Sequence, residues 1–364
     1  MNWLLYAFLL FSALYTLIII LVMIGLLRLK KGSSARQPKI SIVVAAKNEE
    51  KRIYPLLESL AKIDYPKDNY EVIIVDDAST DHTFRVASVF AADKSNWKIL
   101  KMEKASDRYH AKKMALAKGI EHSAGEIVLV TDADCRVHPH WLKAMAAHFD
   151  EQTIMVLGYA SLEKSYGRLQ KFLDFDNLFS AIFTASTAML GFPLSSVGRN
   201  MAFRRSAYDQ IGGYASLTKF RSGDDIHLTE RMRDHCRGKI TFCADPYSFV
   251  HSQPPDTYKE IFYQQIRKNS KIMDKSLKSS SFSVFLFIAL MLYIFLPVIN
   301  PAWLTVWLTM LALKLGVEFI ALLISVHIFR LKKLIPILPL MQVFYPVYVT
   351  LFGIAGWLHL YKWK

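Results

Sequence analysis

Residues 3–27, WLLYAFLLFSALYTLIIILVMIGLL, carry no charged side chain. At about 1.5 Å per residue, a helix of this length crosses a hydrocarbon core of about 30 Å with some tilt. A cleaved secretory leader is the competing reading, and it fits poorly. No basic residue precedes the run, the run is too long, and no A-x-A site follows it. Instead RLKKGSSAR follows at 28–36. Positive charge marks the cytoplasmic flank of a membrane helix, so the N-terminus is expected outside and the continuation in the cytosol. Three more apolar stretches lie at 282–299, 302–329 and roughly 334–361. The basic loop RLKK at 330–333 belongs on the cytosolic side by the same rule, and counting spans from an inside start at residue 281 places it there. The last stretch holds Pro336, Pro339 and Pro346, so it either spans with kinks or lies partly in the interface. The expectation is a multi-pass integral protein of a bacterial inner membrane, with a cytosolic central tract.

The chain has 364 residues and is 52% hydrophobic, enough for one sizeable soluble core besides the membrane segments. Its formal charge of +14 points to a phosphate-rich partner: nucleic acid, anionic lipid or a nucleotide. The positive charge is spread along the chain and partly placed at membrane flanks, which argues against nucleic acid. Cys135, Cys236 and Cys243 show no paired framework and no CxxC spacing, so they read as reduced cytosolic thiols.

The tract 36–255 alternates strand and helix patterns. KISIVVAA (39–46), YEVIIVDD (70–77), NWKILKM (96–102) and EIVLVTDAD (126–134) are short apolar runs that read as strands. Between and after them, NEEKRIYPLLESLAKI (48–63), AKKMALAKGIEHSAG (111–125) and HPHWLKAMAAHF (138–149) read as helices. The first of these places acids in its first turn, and the second ends near Gly125. The fold class is therefore α/β, a mostly parallel sheet with flanking helices. One apolar helix precedes it and two to three follow.

Ligands of such sheets bind beyond the carboxyl ends of the strands. Three strand ends carry polar clusters there: AAKNEE, VDDAST and TDADC. Asp132 and Asp134 stand two residues apart. If strand geometry persists, both carboxylates face one side and repel unless something positive lies between them. A hard divalent cation meets that need, because Mg²⁺ and Mn²⁺ accept one or two protein carboxylates and fill the rest with phosphate oxygens and water. An acidic turn capping the next helix is the plainer explanation of a lone D-x-D. Lysines in HAKKMALAKG favour a nucleotide diphosphate and its metal instead.

SIVVAAKNEE, VDDASTDHT, AKKMALAKGI, VTDADC, GRNMAFRRSAYDQIGGY and SGDDIHLTERM occur in that order over roughly residues 39–270. This series resembles the family 2 glycosyltransferases, membrane-associated inverting enzymes with a GT-A catalytic domain. The resemblance implies that Ala45, Lys47 and Glu49 form the first nucleotide-binding loop. It implies that Asp77, with Asp76 beside it, contacts the base and ribose. Lys112 matches the lysine of a G-K segment in which Ala111 here replaces glycine. Asp132 and Asp134 match the D-x-D whose last aspartate ligates the metal. Arg199 and Asn200 belong to a segment lining the sugar and acceptor side. Asp225 matches the catalytic base, with Asp224 where glutamate is common. Asp225 also reads as an N-terminal helix acid, and the two roles are compatible.

QQIRK (264–268) resembles a Q-x-x-R-W motif, with Gln264 and Arg267 in place and Lys268 where tryptophan is usual in chain-elongating members. Arg267 is implied to neutralise the diphosphate. Residues 256–281 equally read as a basic amphipathic interfacial helix before the apolar region 282–364. The aromatic-rich tract 164–193 reads as a surface helix against lipid or as a core helix. Lys314 and Glu318, four residues apart in an apolar stretch, can pair, either for function or as a helix-to-helix contact.

The domain organisation expected is a membrane helix at 1–29, a GT-A domain at 36–255, an interfacial helix and a C-terminal membrane region. The partners expected are a nucleotide-sugar donor, a UDP-sugar by preference, and a lipid or lipid-linked glycan acceptor, with membrane lipids around them. A processive polysaccharide synthase is the alternative within the class. A nucleotidyltransferase, which would release pyrophosphate, is the alternative outside it. A transporter explains the apolar ends but not three carboxylate clusters at strand termini.

Overall fold

The computed structural model describes residues 2–103, 111–163, 167–217, 223–255, 257–270 and 277–358. Residues 256 and 271–276 of the expected interfacial helix, 164–166 of the aromatic-rich tract and 359–361 of the last apolar stretch lie outside them. The chain forms two compact units: Arg28–Pro254, and a second made of Met1–Leu27 with Pro255–Lys364.

The second unit contributes α1 (Asn2–Leu27). In the central unit the order is β1 (Ile40–Ala46), α2 (Tyr54–Ala61), β2 (Tyr70–Asp76), α3 (Thr83–Ala91), β3 (Trp97–Lys101), α4 (Ala111–Glu121) and β4 (Ile127–Asp132). There follow β5 (Cys135–Arg136), α5 (Trp141–Ala146), β6 (Thr153–Gly158), β7 (Ala160–Leu162), α6 (Gly167–Met189), β8 (Met201–Arg204) and α7 (Arg205–Gln210). The unit closes with α8 (Asp224–His235), β9 (Lys239–Cys243) and β10 (Val250–Ser252). One sheet has the strand order β3-β2-β1-β4-β8-β6-β9, and a small one has β5-β10-β7. The first four strands of the large sheet are parallel, and β8 runs antiparallel between β4 and β6.

The strands form where the apolar runs lie because both faces of the sheet are covered. Ile40, Ile42, Val43, Val44, Val72, Ile73, Val128 and Leu129 are all fully buried, as a parallel sheet between helices requires. Gly119 lets α4 sit close on this sheet. A Cβ there would stand 2.5 Å from Val43 Cγ1.

Several boundaries differ from the sequence pattern. The helix expected from residue 48 begins at Tyr54, and its first turn holds no acid. Asn48 adopts a left-handed φ of 55°, and Glu49 and Glu50 belong to the loop before the helix. The helix α4 stops at Glu121, short of Gly125. Strand β4 ends at Asp132, and Ala133–Asp134 make a turn into β5, so strand alternation does not carry through the D-x-D. In the aromatic-rich tract the core alternative is observed. Leu173, Phe175, Leu178 and Ala185 of α6 are buried against β7 and β9, while Phe179 and Phe192 stay exposed.

The second unit also holds α9 (Tyr258–Ser270), α10 (Leu277–Ile299), α11 (Leu304–Ile328) and α12 (Leu338–Trp357). Among the described residues three helical segments are long and apolar enough to cross a membrane: Trp3–Leu27, Pro301–Ile328 and Lys332–Gly356. The proline-bearing last stretch is one of them. The described apolar part of α10, Phe287–Ile299, is shorter. In α9, Ile261 and Ile266 are buried and Tyr258 and Phe262 are exposed. The helix packs on α12, where Tyr348 donates to Gln265 Oε1 at 2.9 Å.

Candidate active site

Strand register brings the carboxyl ends together. Ala45 stands opposite both Val75 and Asp132, and Ala46 opposite Asp76. The loops leaving β1 and β2 are then stitched to each other. Asn48 N donates to Ser79 Oγ at 3.0 Å, and Thr80 N donates to Asn48 Oδ1 at 2.8 Å. Glu49 N donates to Thr83 Oγ1 at 2.8 Å, Glu50 N to Asp81 Oδ2 at 3.2 Å, and His82 N to Glu50 Oε2 at 3.0 Å. Glu50 serves this seam with its carboxylate and Glu49 with its backbone N–H, and neither sits in the first turn of the helix.

Asp76 and Asp77 sit on the floor beside it, 1% and 2% exposed. Ser79 N donates to Asp76 Oδ2 at 3.2 Å, and Lys47 Nζ lies 3.1 Å from Asp77 Oδ2. The other oxygen of each, Oδ1, is buried without a hydrogen bond. An acceptor left in that state is costly to the fold and ready for a ligand's N–H or O–H. Burial pushes the Asp77 carboxyl above the usual range, against the pull of Lys47 and with a further push from Asp76.

The D-x-D pair lies at the end of β4. Lys112 Nζ is 2.5 Å from Asp132 Oδ1, and an Arg52 nitrogen is 3.4 Å from Asp134 Oδ2. Burial and then the Asp132 charge raise the Asp134 carboxyl, while Arg199, Arg52 and Lys112 oppose that rise. The two carboxylates thus press on each other although the strand has ended. Among the described residues no third His, Cys, Asp or Glu joins them to make a closed metal cage. Two hard oxygen donors with mutual repulsion fit a cation of the Mg²⁺ or Mn²⁺ type that takes its other ligands from phosphate and water.

The opposite wall is the start of α8. Gly223 precedes it with a φ of 82°, a left-handed conformation suited to glycine. Gly198 N donates to Asp225 Oδ2 at 2.9 Å. Desolvation opposes the Lys112 charge, but Asp132, Asp224 and Asp225 outweigh it and raise the ammonium. Tyr214 is 1% exposed, and burial followed by the charges of Asp224, Tyr208, Asp225 and Asp132 holds its phenol well above the ordinary value. Asp132 and Asp225 therefore belong to one electrostatic neighbourhood despite their separation in sequence.

Arg199 is aimed at this neighbourhood and donates to Ser252 Oγ. Asn200 is not. It is fully buried, donates to the Tyr159 and Ser248 carbonyls at 2.8 Å each, and accepts from Trp141 Nε1 at 3.2 Å. The resemblance assigned Asn200 to the sugar side; here its amide fixes the loop before β8. Gln264 and Arg267 lie on α9 of the second unit. The structure also brings in two residues that the motifs passed over. Arg52 reaches Asp134 and donates to the Gln253 and Pro254 carbonyls at 3.0 and 3.2 Å. Lys113 is 1% exposed and lies 3.0 Å from Asp224 Oδ1. Its signal was present in the sequence: it falls in helical register with the core residues Leu116 and Ile120, where a lysine needs a buried partner.

Glycosyltransferase AglE of Haloferax volcanii is 26% identical over 239 residues, 63% of this chain and 71% of that protein. The beta-monoglucosyldiacylglycerol synthases of Synechocystis sp. and Nostoc sp. are 28% and 31% identical over 217 and 202 residues. Those alignments cover 59% and 54% of this chain but only 44% and 41% of the synthases, so the chain spans less than half of their length. Among solved structures, the mannosyltransferase PcManGT of Pyrobaculum calidifontis, in complex with GDP-Man and Mn²⁺, has the same fold. Its TM-score is 0.58 at 19% identity, with 96% of each chain covered. Residues 41–212 match glycosyl transferase family 2, and residues 127–358 match glycosyl transferase family group 2. The second match takes in well over half of the chain, and the chain belongs to the family 2 glycosyltransferases, with the GT-A fold.

Proposed function

We propose that this glycosyltransferase is a membrane-integral, metal-dependent, inverting enzyme that moves a sugar from a nucleotide-sugar, a UDP-sugar by preference, to a lipid or lipid-linked glycan at the cytosolic face of a bacterial inner membrane. The observation that carries the reading is the convergence at one sheet edge of buried carboxylates with open acceptor oxygens, the Asp132–Asp134 pair and Asp225. Asp76 and Asp77, aided by Lys47, Ala45 and the Glu49 loop, receive the nucleoside. Lys112, Arg199 and Arg52 surround the position of the diphosphate. Asp132 and Asp134 would hold the divalent cation. When bound there, Mg²⁺ or Mn²⁺ supplies positive charge against the negative charge that grows on the departing diphosphate.

The chain's own residues do the rest. Asp225, oriented through Gly198 N–H, takes the proton of the acceptor hydroxyl as its oxygen bonds to the anomeric carbon. The bond from that carbon to the diphosphate breaks, and the nucleoside diphosphate leaves. One displacement inverts the anomeric centre. A positioned base of this kind is worth about 10²–10⁴ in rate. The lipid acceptor is supported by the apolar helices and by the monoglucosyldiacylglycerol synthases among the relatives.

The test is nucleoside diphosphate release by detergent-purified protein given a panel of UDP- and GDP-sugars, with and without Mn²⁺, plus native lipid extract. Release from one donor, dependent on metal and accompanied by label in a single-addition lipid product, is expected. Pyrophosphate release from nucleoside triphosphates instead would replace the reading with a nucleotidyltransferase, and a ladder of long products would replace it with a processive synthase.

A further inference from the structure

The helix α4 opens with two adjacent lysines, and the mechanism above uses only Lys112. Lys113 points the other way, onto the buried face shared with Leu116 and Ile120. There its methylene stem can be covered, but its ammonium needs partners. It has two. Its Nζ donates to the Leu217 carbonyl at 3.3 Å and lies 3.0 Å from Asp224 Oδ1. Leu217 ends the turn Tyr214–Leu217, and Asp224 is the first residue of α8. One buried cation thus binds the end of that turn and the start of α8 to the helix that presents Lys112 to Asp132.

Asp225 is the neighbour of Asp224. Its carboxylate is anchored from one side by Gly198 N–H, at 2.9 Å. Its backbone, in the first turn of α8, is anchored from the other by the Lys113–Asp224 pair.

We infer that Lys113 is a positioning residue for sugar transfer, holding Asp224 and the start of α8 so that Asp225 stands where the acceptor's proton is taken. This role rests on Asp225 acting as the base. It differs from that of a lysine which merely cements the core, because a cementing lysine affects folding and donor binding together. A positioning lysine affects turnover and leaves the donor bound.

The experiment compares the full-length wild type with Lys113→Met, Lys113→Arg, Asp224→Asn and the double variant Lys113→Met/Asp224→Asn, in the diphosphate-release assay with separate donor-binding titrations. Lys113→Met is expected to turn over about 10–100-fold more slowly, the scale of a small misplacement near a reacting group. Its donor KM stays within about twofold of wild type on the same argument. Lys113→Arg, which keeps the cation, recovers most of the rate. The double variant is no slower than the slower single, since both substitutions remove the same tie. If Lys113→Met does not fold, the double variant takes its place, because it leaves no uncompensated buried charge. Wild-type turnover in the folded variant, or a donor KM that rises as much as turnover falls, overturns the positioning role. Additive losses in the double variant overturn it too. A wild type that releases nothing from any donor sinks the transferase reading itself and takes the Lys113 role with it. An active wild type with an equally active Lys113→Met sinks the Lys113 role alone.

Discussion

On the proposed reading, single carboxylates divide the labour of this site, and each has its own expected phenotype. Asp134→Ala removes one of two hard oxygen donors. Metal-stimulated donor binding should disappear in titration calorimetry, and metal-stimulated binding that persists unchanged in the variant would remove Asp134 as a ligand. Asp225→Asn keeps the shape and the Gly198 contact but cannot take a proton. Donor affinity should persist while transfer slows by about 10²–10⁴. Wild-type turnover in that variant would discard it as the base. Asp77 is a carboxylate raised by burial. A raised carboxyl favours the folded state at low pH, and that contribution is lost as pH rises through its folded value. It therefore weakens the apo fold at neutral pH. Asp77 and the Asp132–Asp134 pair were visible in the sequence because a polar cluster that stops a buried strand is a local signal, whereas Asp225 was singled out by the family resemblance. The bonds of Asn200 were not legible, because its neighbours in sequence say nothing of Trp141, Tyr159 and Ser248, which engage its amide.

Elements are joined by polar seams at both edges of the sheet. On the ligand edge, Asn48 holds the β1 loop to the β2 loop through Ser79 and Thr80. Asn48→Ala loses the side-chain acceptor and strains a left-handed φ. Donor affinity should fall by about 1–2 kcal/mol, and Asn48→Gly, which relieves the strain, by less. On the opposite edge, Glu71 accepts from Ser41 Oγ at 2.7 Å, Ala124 N at 2.6 Å and Lys98 Nζ at 2.8 Å. Burial alone would raise this carboxyl, but Lys98, the Ala124 N–H and the Ser41 hydroxyl together lower it. A lowered carboxylate stabilises the fold above its unfolded value and loses that contribution as pH falls through the folded one. Glu71→Gln should therefore unfold at a lower temperature than wild type at pH 7, with the gap closing below about pH 4. A gap independent of pH would show that the charge is not what matters. Both seams escaped the sequence reading. Periodicity locates a strand or a helix, whereas a seam depends on which loops the sheet order makes adjacent.

At the scale of the molecule, the helices from the two chain ends share one polar knot. Lys314 Nζ lies 2.7 Å from Glu318 Oε1 on α11, and Tyr15 of α1 donates to the same oxygen. Gln342 of α12 donates to Glu318 Oε2 at 3.2 Å and to the Leu315 carbonyl at 2.8 Å. The Lys314 ammonium also stands 5.3 Å from the Tyr15 ring centre and 5.8 Å from that of Tyr293 on α10. These contacts favour the helix-to-helix role for the pair. Glu318→Leu should lower the thermal midpoint in detergent, because it strands Lys314 among apolar helices. Lys314→Met/Glu318→Gln should be less damaging than that single change. A single variant as stable as wild type would make the knot incidental.

Fold class, the apolar ends and the D-x-D were readable from the chain because each is a property of residues near one another: a run without charge, an alternation of short patterns, an acid cluster closing a strand. Which acids meet which cations was not. Lys113 finds the Leu217 carbonyl 104 positions away, and Tyr15 finds Glu318 303 positions away. The aromatic tract of α6 could have faced lipid or core on its composition, and it packs on β7 and β9 because those strands leave a surface to cover. Hydrophobic pattern specifies what must be buried. The partner that buries it, and the charge that compensates a buried charge, are set by strand order and helix packing, which bring together residues that no local spacing relates.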